Sequence, residues 1–225
     1  MVTQIEVSEL TKEYVVADQT ITAVDRVSLA INKGEFVSVV GHSGSGKTTL
    51  LSIIGGIMKP TSGRVLFEGR DICAFDDDRL SEYRNEKVGF MFQFASLLPM
   101  LTAEENVMLP GLFRKSTSTR DQTKAKDFLH VVGIGEKCGA YPAQLSGGQQ
   151  RRVAIARALM YDPCVILADE PTGDLDEETE SDIMQLFKRL NREKQITFIF
   201  ITHNLELAGM AQRTLRMIRG SLRED

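Results

Sequence analysis

Runs of apolar residues and the polar stretches between them divide the chain into strands and helices. EFVSVV (35–40), VGFMF (88–92), CVILADE (164–170) and ITFIFIT (196–202) are short, nearly continuous apolar runs. Runs of this kind, bounded by turns, read as strands of a buried parallel sheet. IEVSELTKEY (5–14), ITAVDRVSLAI (21–31) and GRVLFEG (63–69) read as strands of an antiparallel layer over that sheet. TTLLSIIGG reads as a helix, and DDDRLSEYRNEK (76–87) as an exposed helix with its acids at the favourable N-terminal end. From about residue 96 to 158 the pattern becomes helical. Thr102 to Glu105 and Thr119 to Gln122 each fit the capping box, and QQRRVAIARAL (149–159) is a further helix. The pattern predicts an α/β fold in one domain over 1–225, with its core at about 1–95 and 159–225 and an inserted helical lobe at about 96–158.

Candidate chemistry lies at the ends of the buried strands. GHSGSGKT (41–48) fits G-x-x-x-x-G-K-[ST], with Gly41, Gly46, Lys47 and Thr48 at the fixed places. The glycines permit close backbone approach. The stretch of Gly41, His42, Ser43, Gly44, Ser45, Gly46, Lys47, Thr48 and Thr49 can then turn its N–H groups, at the positive end of a helix, toward a phosphate chain. Lys47 is expected to reach the β- and γ-phosphates and Thr48 to hold Mg²⁺. The competing reading is a glycine-rich turn with a chance lysine; the strand before it and the helix after it argue against that. CVILADE ends in Asp169 and Glu170 at the edge where α/β folds place ligands. Asp169 is the expected outer partner of Mg²⁺, and Glu170 the general base that polarises a water. Two solvated acids at a strand end would be the bland alternative, and Lys47 with Thr48 weigh against it.

LSGGQ (145–149) follows about a hundred residues later. With it, almost the whole chain resembles the nucleotide-binding subunit of an ATP-binding cassette (ABC) transporter, with the motifs in the same order. The resemblance implies a P-loop NTPase (RecA-like) core, binding of ATP and Mg²⁺, and hydrolysis of ATP. It implies a head-to-tail homodimer in which Ser146, Gly147, Gly148 and Gln149 complete the ATP site of the other copy. Ser146 is in addition a fitting helix N-cap. Gln93 stands at the family's Q-loop glutamine, a contact to Mg²⁺ or water. His203 stands at its switch histidine, and Tyr14 where an aromatic ring stacks on adenine. The implied catalytic residues are thus Glu170, His203, Gln93 and Lys47, and the implied metal residues Thr48, Gln93 and Asp169. PTGDLDEET (171–179) resembles the D-loop, with Asp174 and Asp176 along the dimer seam and Asp176 suited to cap the next helix. Asn204 departs from the family, which more often has aspartate there. FQFASLLPMLTAEENVMLPGL (92–112) and EPTGDLD (170–176) resemble the lipoprotein-releasing, macrolide-exporting and cell-division branch. On that basis Phe94, Leu97, Leu98 and Met100 line a groove for a permease helix; the alternative is a satellite of the core.

Composition narrows the functions. The 225 residues carry a net charge of −4, so no basic face recommends nucleic acid. Cys73, Cys138 and Cys164 are far apart, odd in number and without metal spacing. They read as reduced thiols in a cytosolic protein, with Cys164 packed inside its strand. No apolar run reaches about 18 residues and no signal peptide is evident. The expected location is therefore cytoplasmic, peripheral on the inner face of the membrane through a separate integral permease. The sequence stops soon after TLRMIRG (214–220), so the regulatory C-terminal domain that some sugar importers of the family carry is not expected. Two functions fit the same residues: an ATPase motor for transport, and an ATP-gated clamp that activates a membrane partner without moving cargo. A chromosome-structure ATPase would need a long coiled coil between the cradle and LSGGQ, and LSGGQ argues against a metabolic kinase. No cargo is legible in this subunit.

Overall fold

The computed structural model describes residues 2–113 and 119–224, without the side chains at 113, 119 and 120. The box expected at Thr119 therefore lies outside the described residues. Strands β1 (Thr3–Val16) and β2 (Gln19–Asn32) form a long hairpin, its turn made by Ala17 and Asp18 at φ 46° and 64°. Two successive positive φ angles give the turn a twist that matches adjoining antiparallel strands. Strand β3 (Phe36–Val40) leads into α1 (Lys47–Ile54), followed by β4 (Ser62–Phe67), β5 (Arg70–Asp71), α2 (Asp77–Glu86) and β6 (Val88–Met91). Three helices come next, α3 (Ala103–Met108), α4 (Thr119–Val131) and α5 (Gly147–Leu159). The chain then returns through β7 (Val165–Asp169), α6 (Glu177–Lys194), β8 (Thr197–Ile201), α7 (Leu205–Ala208), β9 (Arg213–Ile218) and β10 (Ser221–Glu224).

The strands form the two layers that the pattern predicts. A four-stranded antiparallel sheet runs β2-β1-β4-β5. A six-stranded sheet runs β10-β9-β3-β8-β7-β6, and all its pairs are parallel except β9 with β10. Every residue of β3 and of β8 is buried, because the sheet is covered on both faces. Alternation along the strands sorts the core. Phe36, Phe198, Phe200, Ile166 and Ala168 pack with Val107, Phe128 and Leu129 of the helical region and Phe187 of α6. Val37, Val39, Ile199, Ile201 and Leu167 pack with Leu50 and Ile54 of α1 and with Ile5 and Leu10 of β1. Phe36 meets Phe198 and Phe200 at centroid distances of 5.5 and 5.1 Å in tilted geometries, which suit the ring quadrupoles.

Local details follow from residue chemistry, with two corrections. Thr102 caps α3: its Oγ1 accepts from Glu105 N at 3.3 Å, while Glu105 Oε2 accepts from Thr102 N at 2.8 Å. Asp76 caps α2, and Asp77 and Asp78 fill its first turn. That helix is not wholly exposed, however. Leu80 and Tyr83 are buried, and Tyr83 Oη donates to Ile54 O at 2.9 Å. These residues are three apart, the spacing that places two side chains on one helical face. Cys164 is only half-buried and precedes β7 instead of sitting inside it; all three cysteines are free.

Asn106 is fully buried and organises the loop ahead of α3. Its Nδ2 donates to the carbonyls of Leu98, Leu101 and Thr102 at 3.0–3.1 Å, and its Oδ1 accepts from Leu98 N at 2.8 Å. Replacement by alanine leaves those main-chain groups unsatisfied. Asn106→Ala is expected to lower stability by about 2–3 kcal/mol, read as a lower urea midpoint at unchanged slope.

Candidate functional site

The glycine turn is fixed by its neighbours. Gly46 has φ 104°, and a Cβ there would lie 1.9 Å from Ala23 O. A Cβ at Gly41 would lie 2.3 Å from Met217 O. The turn is thus pressed between β2 and β9, and only residues without side chains fit at these two places. His42, Ser43 and Gly44 are exposed along its outer side, Ser45 is buried, and Thr49 is half-buried in the first turn of α1. Ser45 Oγ is enclosed without a hydrogen-bond partner. Lys47 is buried, and its Nζ donates to Gly41 O at 2.8 Å and His42 O at 2.9 Å. One helix step on, Thr48 Oγ1 donates to Asp169 Oδ2 at 2.7 Å.

Loss of water dominates the electrostatics. Burial pulls the Lys47 ammonium below the usual lysine range, while Glu170 and Asp169 act the other way. Burial likewise pushes the Asp169 carboxyl up, the Thr48 hydroxyl pulls it down, Glu170 pushes it up and Lys47 pulls it down. Glu170 follows β7 directly at φ 44°, an uncommon conformation for a residue with a side chain. Its N–H donates to Ile201 O at 3.1 Å, and its Oε2 lies 3.1 Å from His203 Nδ1. Gln93 follows β6 and is exposed.

Among the described residues no group of three or more His, Cys, Asp and Glu could hold a metal ion by itself. Thr48 and Asp169 nevertheless offer two hard oxygens at one point, with the unpartnered Ser45 hydroxyl in the same turn. That set fits Mg²⁺, which takes few protein ligands and completes its shell with water and phosphate oxygens.

The remaining residues from the sequence lie apart from the cradle. Ser146 caps α5 as expected: its Oγ accepts from Gln149 N at 3.3 Å, and Gln149 Oε1 accepts from Ser146 N at 3.0 Å. Ser146 and Gly147 are exposed, and among the described residues no hydrogen bond or ion pair joins 146–149 to 41–48 within one chain. Tyr14 lies on the β1–β2 hairpin, with Oη 3.0 Å from Met58 Sδ and Lys12 Nζ 5.4 Å from the ring centroid. Asp176 caps α6, accepting from Thr179 N at 3.0 Å. Asn204 caps α7 with Oδ1, so its departure from aspartate keeps the helix start.

The groove expectation changes. Phe94, Leu98 and Met100 are 65 %, 42 % and 75 % exposed, and Leu97 packs on the core. A cleft of about 550 Å³ lies beside them instead, lined among others by Phe90, Phe92, Leu109 and Pro110. Stacking of Phe90 on Phe92, at 5.8 Å and 5° between planes, forms part of its wall. Two residues were missed altogether, Arg151 and Arg157, whose guanidinium groups bond the main chain of the Gln93 loop. Their signal was available: Val153 to Ala156 are consecutive apolar residues, and a helix apolar on most sides is buried, so its charges need partners.

A lysine-bearing glycine turn beneath a Thr–Asp pair, at the edge of a parallel sheet, is the arrangement of a P-loop nucleoside triphosphatase. Comparison with known proteins narrows this. Residues 24–173 match the ABC transporter family. An uncharacterised ABC transporter ATP-binding protein of Thermotoga maritima is 44% identical over 96% of this chain and 92% of its own length. The lipoprotein-releasing system ATP-binding protein LolD of Myxococcus xanthus is 44% identical over 95% of each chain. A dimeric ATP-binding cassette in a post-hydrolysis state, bound to ADP and Pi, superposes with a TM-score of 0.91 at 42% identity, over 98% of this chain and 97% of that one. The chain belongs to the ABC transporter family and is one of its ATPases.

Gly148 carries a demand from its own chain, since a Cβ there would lie 2.6 Å from Thr179 Cγ2. Gly148→Ala is expected to cost about 1–3 kcal/mol of stability. Thr179→Ser, which removes that methyl and keeps the hydroxyl, restores most of it in the double variant, as read by thermal unfolding of the full set.

Proposed function

We propose that two copies of this chain close head to tail around two ATP molecules and that hydrolysis resets a membrane permease carried on a separate chain. The observation that supports its hydrolytic step most is the Glu170–His203 contact at 3.1 Å, next to Asp169, which accepts from Thr48 of α1. In this reading the cradle N–H groups from Gly41 to Thr49 hold the phosphates, and Lys47 exchanges its two carbonyl partners for phosphate oxygens. Glu170 accepts a hydrogen bond from the attacking water and orients it toward the γ-phosphate. His203 holds the Glu170 carboxylate from behind and reaches the same phosphate. Thr48, Asp169 and Gln93 would hold Mg²⁺, which supplies charge neutralisation at the phosphate oxygens. Tyr14 offers a flat face to adenine. Ser146, Gly147, Gly148 and Gln149 close the site of the other copy, adding a second helix N-terminus to the same anion. The division into a core at 1–95 and 159–225 and a lobe at 96–158 belongs to the same proposal.

Similarity to LolD, and to the macrolide export ATP-binding/permease protein MacB of Syntrophobacter fumaroxidans (41% identical over 98% of this chain and 31% of that protein), supports the lipoprotein-releasing and macrolide-exporting branch. Among the described residues no helix is long and apolar enough to cross a membrane. A peripheral cytoplasmic position on a permease suits that observation. The cleft walled by Phe90, Phe92, Leu109 and Pro110 suits an apolar helix of the permease.

Two measurements test the scheme. Glu170→Gln is expected to give a stable ATP-bound dimer with turnover reduced by about 10²–10⁴; a monomer with full turnover refutes the paired site. Phe92→Glu or Leu109→Glu is expected to leave ATP binding intact and abolish stimulation of the ATPase by the reconstituted permease. Unchanged stimulation removes the cleft as the docking site.

A further inference from the structure

Helix α5 starts at the capped Ser146 end and passes under the loop that carries Gln93. Arg151 is 3 % exposed; its Nη1 donates to Phe92 O at 2.9 Å and its Nη2 donates to Gln93 O. The same Nη2 lies 3.9 Å from Asp174 Oδ2. Arg157 donates to Ala95 O at 2.7 Å and to Ser96 O at 2.8 Å. All four of these acceptors are main-chain carbonyls, so the bonds fix the course of the loop and not merely a side-chain rotamer. Residues 92–96 are in this way tied to α5. Asp174 belongs to the loop that starts at Glu170, where Gly173 N donates to Glu170 O at 3.3 Å. Ser146 is five residues from Arg151, about 7.5 Å along the helix axis.

We propose that Arg151 is a positioning residue that links the two ATP sites of the dimer: one buried guanidinium joins the Gln93 and Asp174 loops of its own site to the Ser146 end that completes the other. The inference rests on the paired-site function proposed above. A planar fork with five N–H donors holds two carbonyls and a carboxylate together, which a single ammonium does not. Through these bonds any shift of the Gln93 loop is carried into α5 and hence to Ser146 in the opposite site. The affinity of one site then depends on occupancy of the other, and by linkage the dependence is mutual.

The test uses the full chain, Arg151→Met and Arg151→Lys, each also combined with Glu170→Gln. Methionine keeps most of the buried stem and removes the fork. Monomer affinity is read with a fluorescent ATP analogue, turnover against ATP concentration, and dimer formation by light scattering. For Arg151→Met the expected result is monomer affinity within about twofold of the parent, turnover at least about tenfold lower, and a Hill coefficient falling toward 1. The ATP needed for the Glu170→Gln dimer should rise about tenfold, with Arg151→Lys between the two. Parental turnover and Hill coefficient in Arg151→Met overturn the link, and so does a loss of monomer affinity that matches the loss of turnover. If Arg151→Met does not fold, Arg151→Lys decides by the same readings. Absence of a dimer in Glu170→Gln alone overturns the paired-site reading and the link with it. A normal Glu170→Gln dimer, unchanged on adding Arg151→Met, overturns the link only.

Discussion

Parallel pairing of β3, β8, β7 and β6 is the interaction on which the rest depends. Val39 pairs with Ile201, Asp169 with Ile201, and Met91 with Ala168. That register brings four remote segments to one edge, neighbouring strands standing about 4.8 Å apart. Glu170 can meet His203 only because β7 and β8 are adjacent and end level. The register also decides the core. A slip of one residue would send Phe198 and Phe200 to the α1 face and Ile199 and Ile201 to the helical face. The forces that hold the sheet in register are therefore the packing of large rings on one side and aliphatic chains on the other. The site inherits its geometry from that packing.

The same edge is electrostatically demanding. Water is partly excluded from Lys47 and from Asp169, so each is pushed toward its neutral form. Each is held charged in part by the other and by Glu170 or Thr48. Removal of either charge leaves the other poorly solvated, so the two are coupled before any ligand is considered. The backbone adds to this. Glu170 sits at positive φ, and the conformation is kept by bonds from its own N–H to Ile201 and from Gly173 to its carbonyl. Strain of about 1 kcal/mol at this position is a small charge on the large stability of the sheet beneath it.

Legibility in the sequence followed the range of the interaction. The buried strands, the glycine turn and the caps at Thr102, Ser146 and Asp176 are written in residues within a few positions of one another. They were readable for that reason. What escaped depends on remote partners. Helix 76–87 reads as exposed, and the burial of Leu80 and Tyr83 escapes that reading because the carbonyl of Ile54 that receives Tyr83 lies on α1. Nothing in the sequence names the partners of Arg151 and Arg157, because their acceptors are backbone groups about sixty residues earlier and any sequence presents such groups. Phe94 and Met100 were placed in a groove by resemblance to a family branch, whereas both are exposed and the cleft beside them is walled by Phe90 and Phe92. Tyr14 was recognisable as an aromatic on a hairpin, while its contact with Met58 was not.

The glycines at the start of α5 separate two demands that a motif merges. Gly148 is required by the chain itself, since a methyl group there would strike Thr179. Its identity is thus explained without any ligand, as are Ser146 and Gln149 by their reciprocal cap. Gly147 is different. A Cβ at that position would meet Leu175 Cδ2 at 3.5 Å, an ordinary contact, and its φ is not positive. Nothing within the described chain calls for glycine there, and glycine weakens the first turn of a helix relative to alanine. In the paired-site reading proposed above, it is the phosphate chain held by the second copy that comes closest to this exposed helix end, where a side chain would stand in its way.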